Sequence, residues 1–365
     1  MSAAGAIDAG APAPRANPEL TGHEAAERTL FNAFGSGRLP HAWLITGPRG
    51  IGKATLAYRF ARFALAGGAG QGPNLFGETP QTLRLDPGLP VFGRVARGTH
   101  PDLKVLERTA DPKSGKLRSE TVVDDVRAGV GFLRMTSAEG GWRVVVVDPV
   151  DDMNRSAANA LLKVLEEPPE NALLLLVSHA PGGLLPTVRS RCCHLALRPL
   201  AEPALAELLE GYAPDLAPGD AAALVRLGEG SIGRALDLAA DGGLELYREM
   251  VGVLAGLPRL DVPRLHAFGD RLARGADRAA FRTGTELIAW WLARLVRGAA
   301  EGRLPPEVVP GEGPVMARLV EGRTLVQWLG LWEKVTRLFA RAEGANLDRK
   351  QVVITALLEF EAVAS

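Results

Sequence analysis

A glycine-rich segment, residues 47–54, has the residue types and spacing of a phosphate-binding loop. It reads Gly47, Pro48, Arg49, Gly50, Ile51, Gly52, Lys53 and Ala54. Glycines let successive backbone N–H groups turn toward phosphate oxygens, and a lysine at this place reaches the outer phosphates of a nucleotide. An apolar, strand-like run precedes the loop and a run with helical spacing follows it, as this motif requires. The segment predicts a site for ATP or ADP.

The same loop lacks a group that nucleotide hydrolysis needs. A loop that holds the Mg²⁺ of a hydrolysed nucleotide carries a hydroxyl directly after its lysine, and this chain has Ala54 there. Thr55 comes next, but one step along a helix turns a side chain by about 100°. We therefore expect the loop to hold a nucleotide and to be poorly equipped to cleave it.

A second acidic signature is incomplete in the same way. The apolar run 144–147 ends at Asp148, which could act on Mg²⁺ through water, and the next residue is Pro149. Proline has no proton-accepting side chain, so it cannot act as the general base for an attacking water. Asp151 and Asp152 follow beyond the strand end, where we expect them to solvate a loop.

The apolar pattern predicts the elements that position these residues. Strand-length apolar runs alternate with helical stretches over about residues 20–200, which indicates a parallel sheet with helices on both faces. The predicted strands are Ala42–Thr46, Leu103–Glu107, Trp142–Val147, Leu173–Ser178 and His194–Leu197. A helix over Arg155–Glu167 is predicted to end at two prolines. Residues 67–100, rich in Gly and Pro, predict an irregular surface insertion.

After residue 203 the strand signals stop and only helices are predicted. Two of these helices carry aromatic stripes, around Trp291 and around Trp328, which favour core packing over a ligand site. Residues 1–18 are rich in Ala, Gly and Pro and have no basic region followed by an apolar stretch. They predict a disordered tail rather than a signal peptide.

Composition excludes several classes of protein. The 365 residues include 42 Lys and Arg and 42 Asp and Glu, so no basic excess indicates a stand-alone nucleic-acid binder. The longest apolar runs are far shorter than a membrane span. The only cysteines, Cys192 and Cys193, are adjacent and supply neither a disulfide framework nor a zinc quartet. We expect a reduced, cytoplasmic protein without structural zinc.

Further motifs resemble those of bacterial clamp-loader subunits. Residues 159–169 read Asn-Ala-Leu-Leu-Lys-Val-Leu-Glu-Glu-Pro-Pro, and residues 187–192 read Thr-Val-Arg-Ser-Arg-Cys. Arg38–His41 and His100–Asp102 precede the first two predicted strands. The resemblance spans about residues 20–240 and implies an AAA+ P-loop module followed by an all-α lid and an all-α collar. The implied bounds are a tail at 1–18, the module at 19–200, the lid at 201–242 and the collar at 243–365.

The resemblance also implies roles for single residues. Arg191 is similar in position to the family's arginine finger, which acts on the ATP of a neighbouring subunit, and Ser178 lies about where the family has a nucleotide sensor. ATPase members carry a second sensor, an arginine, where this chain has Gly233; Arg234 follows and should face differently. Zinc-bearing members have four cysteines in the stretch where residues 67–100 have none.

The expected function is therefore that of a largely non-hydrolysing member of a five-subunit ring. The resemblance implies gamma/tau and delta subunits as partners, with the sliding clamp and primer–template DNA contacted through the assembly and no membrane partner. The chain itself would not be catalytic, but would be a component of a DNA-directed DNA polymerase. Two alternatives stay open. An active gamma/tau-type ATPase would need Ser or Thr after Lys53 and Glu after Asp148. A small-molecule P-loop kinase would leave residues 161–169, Arg191 and the C-terminal helices without a purpose.

Overall fold

The structure is a computed structural model that describes residues 10–68, 82–110, 115, 118–274, 279–345 and 347–365. The described chain divides into two compact units. We call residues 10–208 with 229–233 the sheet unit, and residues 209–228 with 234–365 the helical unit. The division into module, lid and collar that the family resemblance implies stays a prediction.

The sheet unit contains five parallel strands. They are β1 (Ala42–Thr46), β2 (Leu103–Leu106), β3 (Arg143–Val147), β4 (Ala172–Ser178) and β5 (Cys193–Ala196). Their order across the sheet is β2-β3-β4-β1-β5, and every neighbouring pair is parallel. Each strand lies within one residue of its predicted bounds at either end, which confirms the predicted parallel sheet.

Helices cover both faces of this sheet. The helices that begin within residues 10–208 are α1 (Glu24–Gly35), α2 (Lys53–Leu65), α3 (Pro90–Ala96), α4 (Val123–Leu133), α5 (Arg155–Glu166), α6 (Pro186–Arg189) and α7 (Glu202–Tyr212). Successive side chains of a strand point to opposite faces. Along β1, Trp43 and Ile45 join an apolar cluster with α1 and α2, whereas Leu44 joins a cluster with α4 and α5. Both faces are buried, as is usual for parallel sheets.

The end of the predicted tail is held in place. Two buried arginines of α2 donate to backbone carbonyls of this segment: Arg62 to Arg15 at 2.9 Å and to Asn17 at 2.7 Å, and Arg59 to Pro18. The prediction of disorder was wrong for residues 15–18, because a buried guanidinium needs acceptors and these carbonyls supply them. Residues 1–9 lie outside the described part of the chain.

The predicted insertion at residues 67–100 is only partly irregular. Residues 69–81 lie outside the described part of the chain, but α3 follows, and Leu83 and Leu85 are 0% and 3% exposed. The backbone N–H of Leu83 donates to Glu27, whose carboxylate also pairs with Arg59 at 2.8 Å. The second half of the segment therefore contributes buried residues to the core.

The helical unit contains α8 (Pro218–Gly228), most of α9 (Ile232–Ala240), α10 (Gly243–Leu254), α11 (Val262–Ala273), α12 (Ala279–Glu301), α13 (Glu312–Gly322), α14 (Leu325–Ala345) and α15 (Arg349–Ala364). The first predicted aromatic stripe is core, since Trp291 and its apolar neighbours on α12 are 0–1% exposed. The second aromatic stripe, on α14, is buried at Trp328, whereas Leu325 and Leu329 are 39% and 42% exposed. No helix in the described ranges combines the length and the apolar character needed to cross a bilayer.

Candidate functional site

Three of the predicted site residues lie at the same edge of the sheet. Strands β3, β4 and β1 are neighbours in that order, and at or just beyond their carboxyl ends lie Asp148, Ser178 and Gly47. In open parallel sheets, ligands bind at this edge. The topology therefore brings together the loop and the two polar residues that sequence reasoning assigned to one nucleotide site.

The loop between β1 and α2 needs its glycines. Gly47, Gly50 and Gly52 have φ angles of 144°, 77° and 102°, in the region that favours glycine. A Cβ at Gly47 would lie 2.6 Å from the carbonyl oxygen of Leu197. A larger residue at Gly47 would therefore displace the loop from the edge of the sheet.

Five successive carbonyls of the loop, those of residues 47–51, accept hydrogen bonds from donors elsewhere in the sheet unit. Lys53 Nζ donates to Gly47 at 2.7 Å and to Pro48, Ser231 Oγ to Arg49 at 2.8 Å, the Gly233 N–H to Gly50 at 3.0 Å, and His23 Nε2 to Ile51 at 2.6 Å. In a trans peptide the N–H points away from the carbonyl. The N–H groups of residues 49–52 consequently point away from these donors, which is the arrangement expected of a loop that binds phosphate oxygens.

Lys53 is a buried cation of this site. Its side chain is buried, and burial lowers the pKa of Lys53 to about 8, although Asp148 and Asp151 act in the opposite direction. Burial also raises the pKa of Asp148 to about 6, although Lys53 acts to lower it. A bound phosphate would compete with the two loop carbonyls for the lysine ammonium.

The residue that follows Lys53 has no hydroxyl for the metal ion of a nucleotide. Ala54 and Thr55 are the second and third residues of α2, Ala54 has no oxygen to offer a metal ion, and Thr55 is 8% exposed. A nucleotide held here would supply a phosphoanhydride, while the chain would supply backbone N–H groups and one ammonium. Within the described ranges, no group of three or more His, Cys, Asp and Glu side chains is placed to hold a metal ion.

Sequence reasoning missed the part that Asp151 takes in this edge of the sheet. Its carboxylate accepts from Ser178 Oγ at 2.7 Å and from the backbone N–H groups of His179 and Ala180. Burial lowers the pKa of His179, and the nearby charge of Lys53 lowers it further. The expectation that Asp151 only solvates a loop was wrong. Asp152 instead pairs with Arg108 at 2.9 Å.

Gly233 touches the loop with its backbone. Besides its hydrogen bond to Gly50, a Cβ at Gly233 would lie 2.8 Å from Gly50 Cα. An arginine at this position would therefore need the two segments to move apart. The next residue, Arg234, has its guanidinium 5.8 Å from the ring centroid of Trp290.

Arg191 lies at the opposite edge of the sheet from the loop. It precedes β5, whose first residue, Cys193, pairs with Trp43 near the start of β1, whereas the loop follows the end of β1. Its Nη2 lies 2.8 Å from Glu166 Oε1, and its Nη1 donates to the Thr187 carbonyl at 3.0 Å. The Arg191 side chain is 36% exposed. The structure therefore does not bring Arg191 together with the other predicted site residues.

The strand order and the position of the phosphate-binding loop define the class of protein as an AAA+ P-loop module. A family model described as "DNA polymerase III, delta subunit" matches residues 22–201. A DNA polymerase III subunit delta-prime of Pseudomonas aeruginosa is 38% identical over 234 residues, which cover 64% of this chain and 58% of that protein. The delta-prime subunit of Yersinia pestis is 36% identical over 45% of this chain and 44% of that protein.

Gamma/tau subunits are similar too. The tau subunit of Escherichia coli is 28% identical over 67% of this chain, but only over 36% of its own length. On these matches the chain is similar to bacterial clamp-loader subunits of DNA polymerase III, and more similar to these two delta-prime subunits than to the tau subunit of Escherichia coli. The chain spans about half the length of the curated delta-prime relatives that it matches.

Proposed function

We propose that this chain is a clamp-loader subunit of the delta-prime type in the replicative DNA polymerase III holoenzyme. It holds ATP or ADP weakly or without hydrolysis in its own loop. It supplies Arg191 to the ATP site of a neighbouring ATPase subunit, so that the ring loads the sliding clamp onto primed DNA.

The observation that carries this proposal is the separation of Arg191 from the chain's own loop. Arg191 and the loop lie at opposite edges of the sheet, and the five residues of β1 separate these edges. At about 3.3 Å per residue, that strand spans roughly 15 Å. An exposed arginine at this distance cannot serve its own site and is available to a neighbouring molecule.

The chemistry of the two sites is complementary. The chain's own site lacks a hydroxyl at Ala54, a base at Pro149 and a second sensor at Gly233. The guanidinium of Arg191 is permanently charged and planar, so it can neutralise the charge that develops on a phosphoryl group during transfer. The neighbour would supply the metal ion, the lysine and the attacking water.

The proposed partners follow from this arrangement. They are gamma/tau and delta subunits in the ring, and the sliding clamp and primer–template DNA through the assembly. Because positive and negative residues are equal in number, the chain has no excess charge for binding DNA alone. The C-terminal helices from residue 243 would form the collar that joins neighbouring subunits, and residues 201–242 the lid. We propose that the protein acts in the cytoplasm.

An active gamma/tau-type ATPase is the alternative that the similarity to tau subunits favours. It is the weaker one, because Ala54 and Pro149 replace the two groups that such an enzyme needs. The family match in turn favours a clamp-loader subunit over a small-molecule kinase.

Reconstitution of the loader tests the proposal. The chain is mixed with an intact gamma/tau-type subunit, a delta subunit and the clamp, and loading onto primed DNA is measured with and without it. We expect stoichiometric incorporation and loading that depends on this chain. Loading that proceeds equally well without the chain, or a chain that hydrolyses ATP alone at about 1 s⁻¹, would refute the proposal.

A further inference from the structure

The proposed function gives no part to the acidic end of α5, although this helix carries the most specific motif of the sequence. Its last residue, Glu166, contacts the proposed finger: Glu166 Oε1 lies 2.8 Å from Arg191 Nη2. We propose that Glu166 is the positioning residue of Arg191, holding the guanidinium in the direction from which it reaches the neighbouring subunit's nucleotide. This inference rests on the proposed function and names a second residue of the same site.

Glu166 is carried by a fixed element. The side chain of Asn154 caps α5 at its start by accepting from the Ala157 N–H at 2.9 Å. At the other end, His41 Nε2 lies 3.1 Å from the Leu165 carbonyl, one residue before Glu166. Functional side chains are placed more precisely on a rigid helix or strand than on a loop. The carboxylate is therefore presented from a helix whose start and end are both tied.

The topology explains why the two residues meet. Helix α5 starts beyond the carboxyl end of β3 and leads back to β4, so its last residue lies near the amino ends of the strands. Arg191 lies at the same edge, ahead of β5. The C-terminal end of a helix also carries partial negative charge, which adds to the charge of Glu166 and attracts the guanidinium of Arg191.

The contacts restrain the Arg191 side chain and leave some of its N–H donors available. A guanidinium has five N–H donors, and two acceptors on different elements, Glu166 and the Thr187 carbonyl, each take one terminal nitrogen. The remaining donors and the exposed part of the side chain can meet a phosphate. Restricting a flexible arginine in advance lowers the entropy lost when it binds.

The pair is exposed, so it contributes little to the stability of the fold. Side chains of Arg191 and Glu166 are 36% and 50% exposed. Substitution of Glu166 should therefore leave the chain folded and incorporated in the ring. Its effect should appear in the reaction at the neighbouring site.

The experiment is a double-mutant cycle in the assembled loader, read as single-turnover ATP hydrolysis with clamp and primed DNA. We expect Glu166→Ala to slow the phase that depends on Arg191 about threefold to fivefold, the range that an exposed charge pair allows. Glu166→Gln, which keeps an acceptor oxygen without the charge, should fall between Glu166→Ala and wild type. In an Arg191→Ala background, Glu166→Ala should have no further effect, because it acts only through Arg191.

The matched control is Glu167→Ala, which removes a neighbouring exposed carboxylate that pairs with no arginine or lysine in the described ranges. It should behave as wild type. Three outcomes would overturn the inference: a Glu166→Ala ring with wild-type rate, a faster one, or an equal loss with and without Arg191. If Arg191→Ala itself has no effect, the proposed function fails instead, so the two failures are distinguishable.

Discussion

The buried lysine of the loop predicts how nucleotide binding depends on pH. Burial lowers the pKa of Lys53 to about 8, so its ammonium is lost in a range where an ordinary lysine stays charged. Between pH 7 and pH 9 the protonated fraction falls from about 90% to about 10%. If bound phosphates keep the lysine protonated, the affinity for ADP should fall about tenfold over this interval.

Raising the pH acts through Lys53 on the stability of the fold in the opposite direction to its effect on nucleotide binding. The two effects can therefore be told apart. Unfolded chains hold the lysine proton up to about pH 10.5, whereas the folded chain releases it near 8. Between these values the unfolded state binds more protons, so raising the pH favours the folded state as far as Lys53 is concerned. Weaker binding at pH 9 therefore cannot come from unfolding through this group.

Calorimetric titration of the chain with ADP at pH 7, 8 and 9, at constant ionic strength, measures the effect. The control is Lys53→Met, which keeps the length of the side chain without the charge and should bind weakly with little dependence on pH. Circular dichroism at each pH checks that the chain stays folded. A wild-type affinity that changes less than twofold between pH 7 and pH 9, or the same slope in Lys53→Met, would refute the reasoning.

Three further changes have expected outcomes. The purified chain should show no ATPase above background, and Ala54→Thr alone should not create one because the base is still missing; steady turnover that disappears with Lys53→Met would contradict this. Gly233→Ala should lower the free energy of unfolding in urea by about 1–3 kcal/mol, because the methyl group would meet the loop backbone at 2.8 Å. The control is Gly252→Ala, which has open space around it and should raise the free energy of unfolding by up to about 1 kcal/mol. Glu312→Ala should cost about 3–5 kcal/mol, because it leaves Arg294 buried without its counter-charge; a loss below 1 kcal/mol would contradict that.

The sheet could be predicted from the sequence because its central strands β1, β3 and β4 are largely apolar runs between clear breaks. All seven residues of β4 are buried, and Pro168 and Pro169 separate it from α5. Helix α4 was not predicted, for a physical reason. It contains Gly129 and Gly131, and its N-cap side chain makes no capping hydrogen bond. Tertiary packing stabilises it instead: a Cβ at Gly129 would lie 2.9 Å from Leu106.

The site was predictable where a local motif carries it and not where distant side chains meet. The loop, Asp148 and Ser178 follow strands, so their common edge could be inferred from the parallel sheet. The hydrogen bond between Asp151 and Ser178 joins residues 27 positions apart, and no spacing rule indicates it. The contact between Glu166 and Arg191 likewise depends on where α5 ends.

The most direct test of the account is the activity of rings rebuilt with Arg191→Ala. The variant should fold and assemble, the bulk ATPase should fall only in part because other interfaces keep their own fingers, and clamp loading should fall further. At the affected site the loss should approach the value of arginine fingers, about 10³–10⁵ in rate. Arg191→Lys should rescue poorly, since a point charge cannot replace the planar fork, and Arg189→Ala should have a smaller effect. Wild-type ATPase and wild-type clamp loading by the Arg191→Ala ring would contradict the central claim.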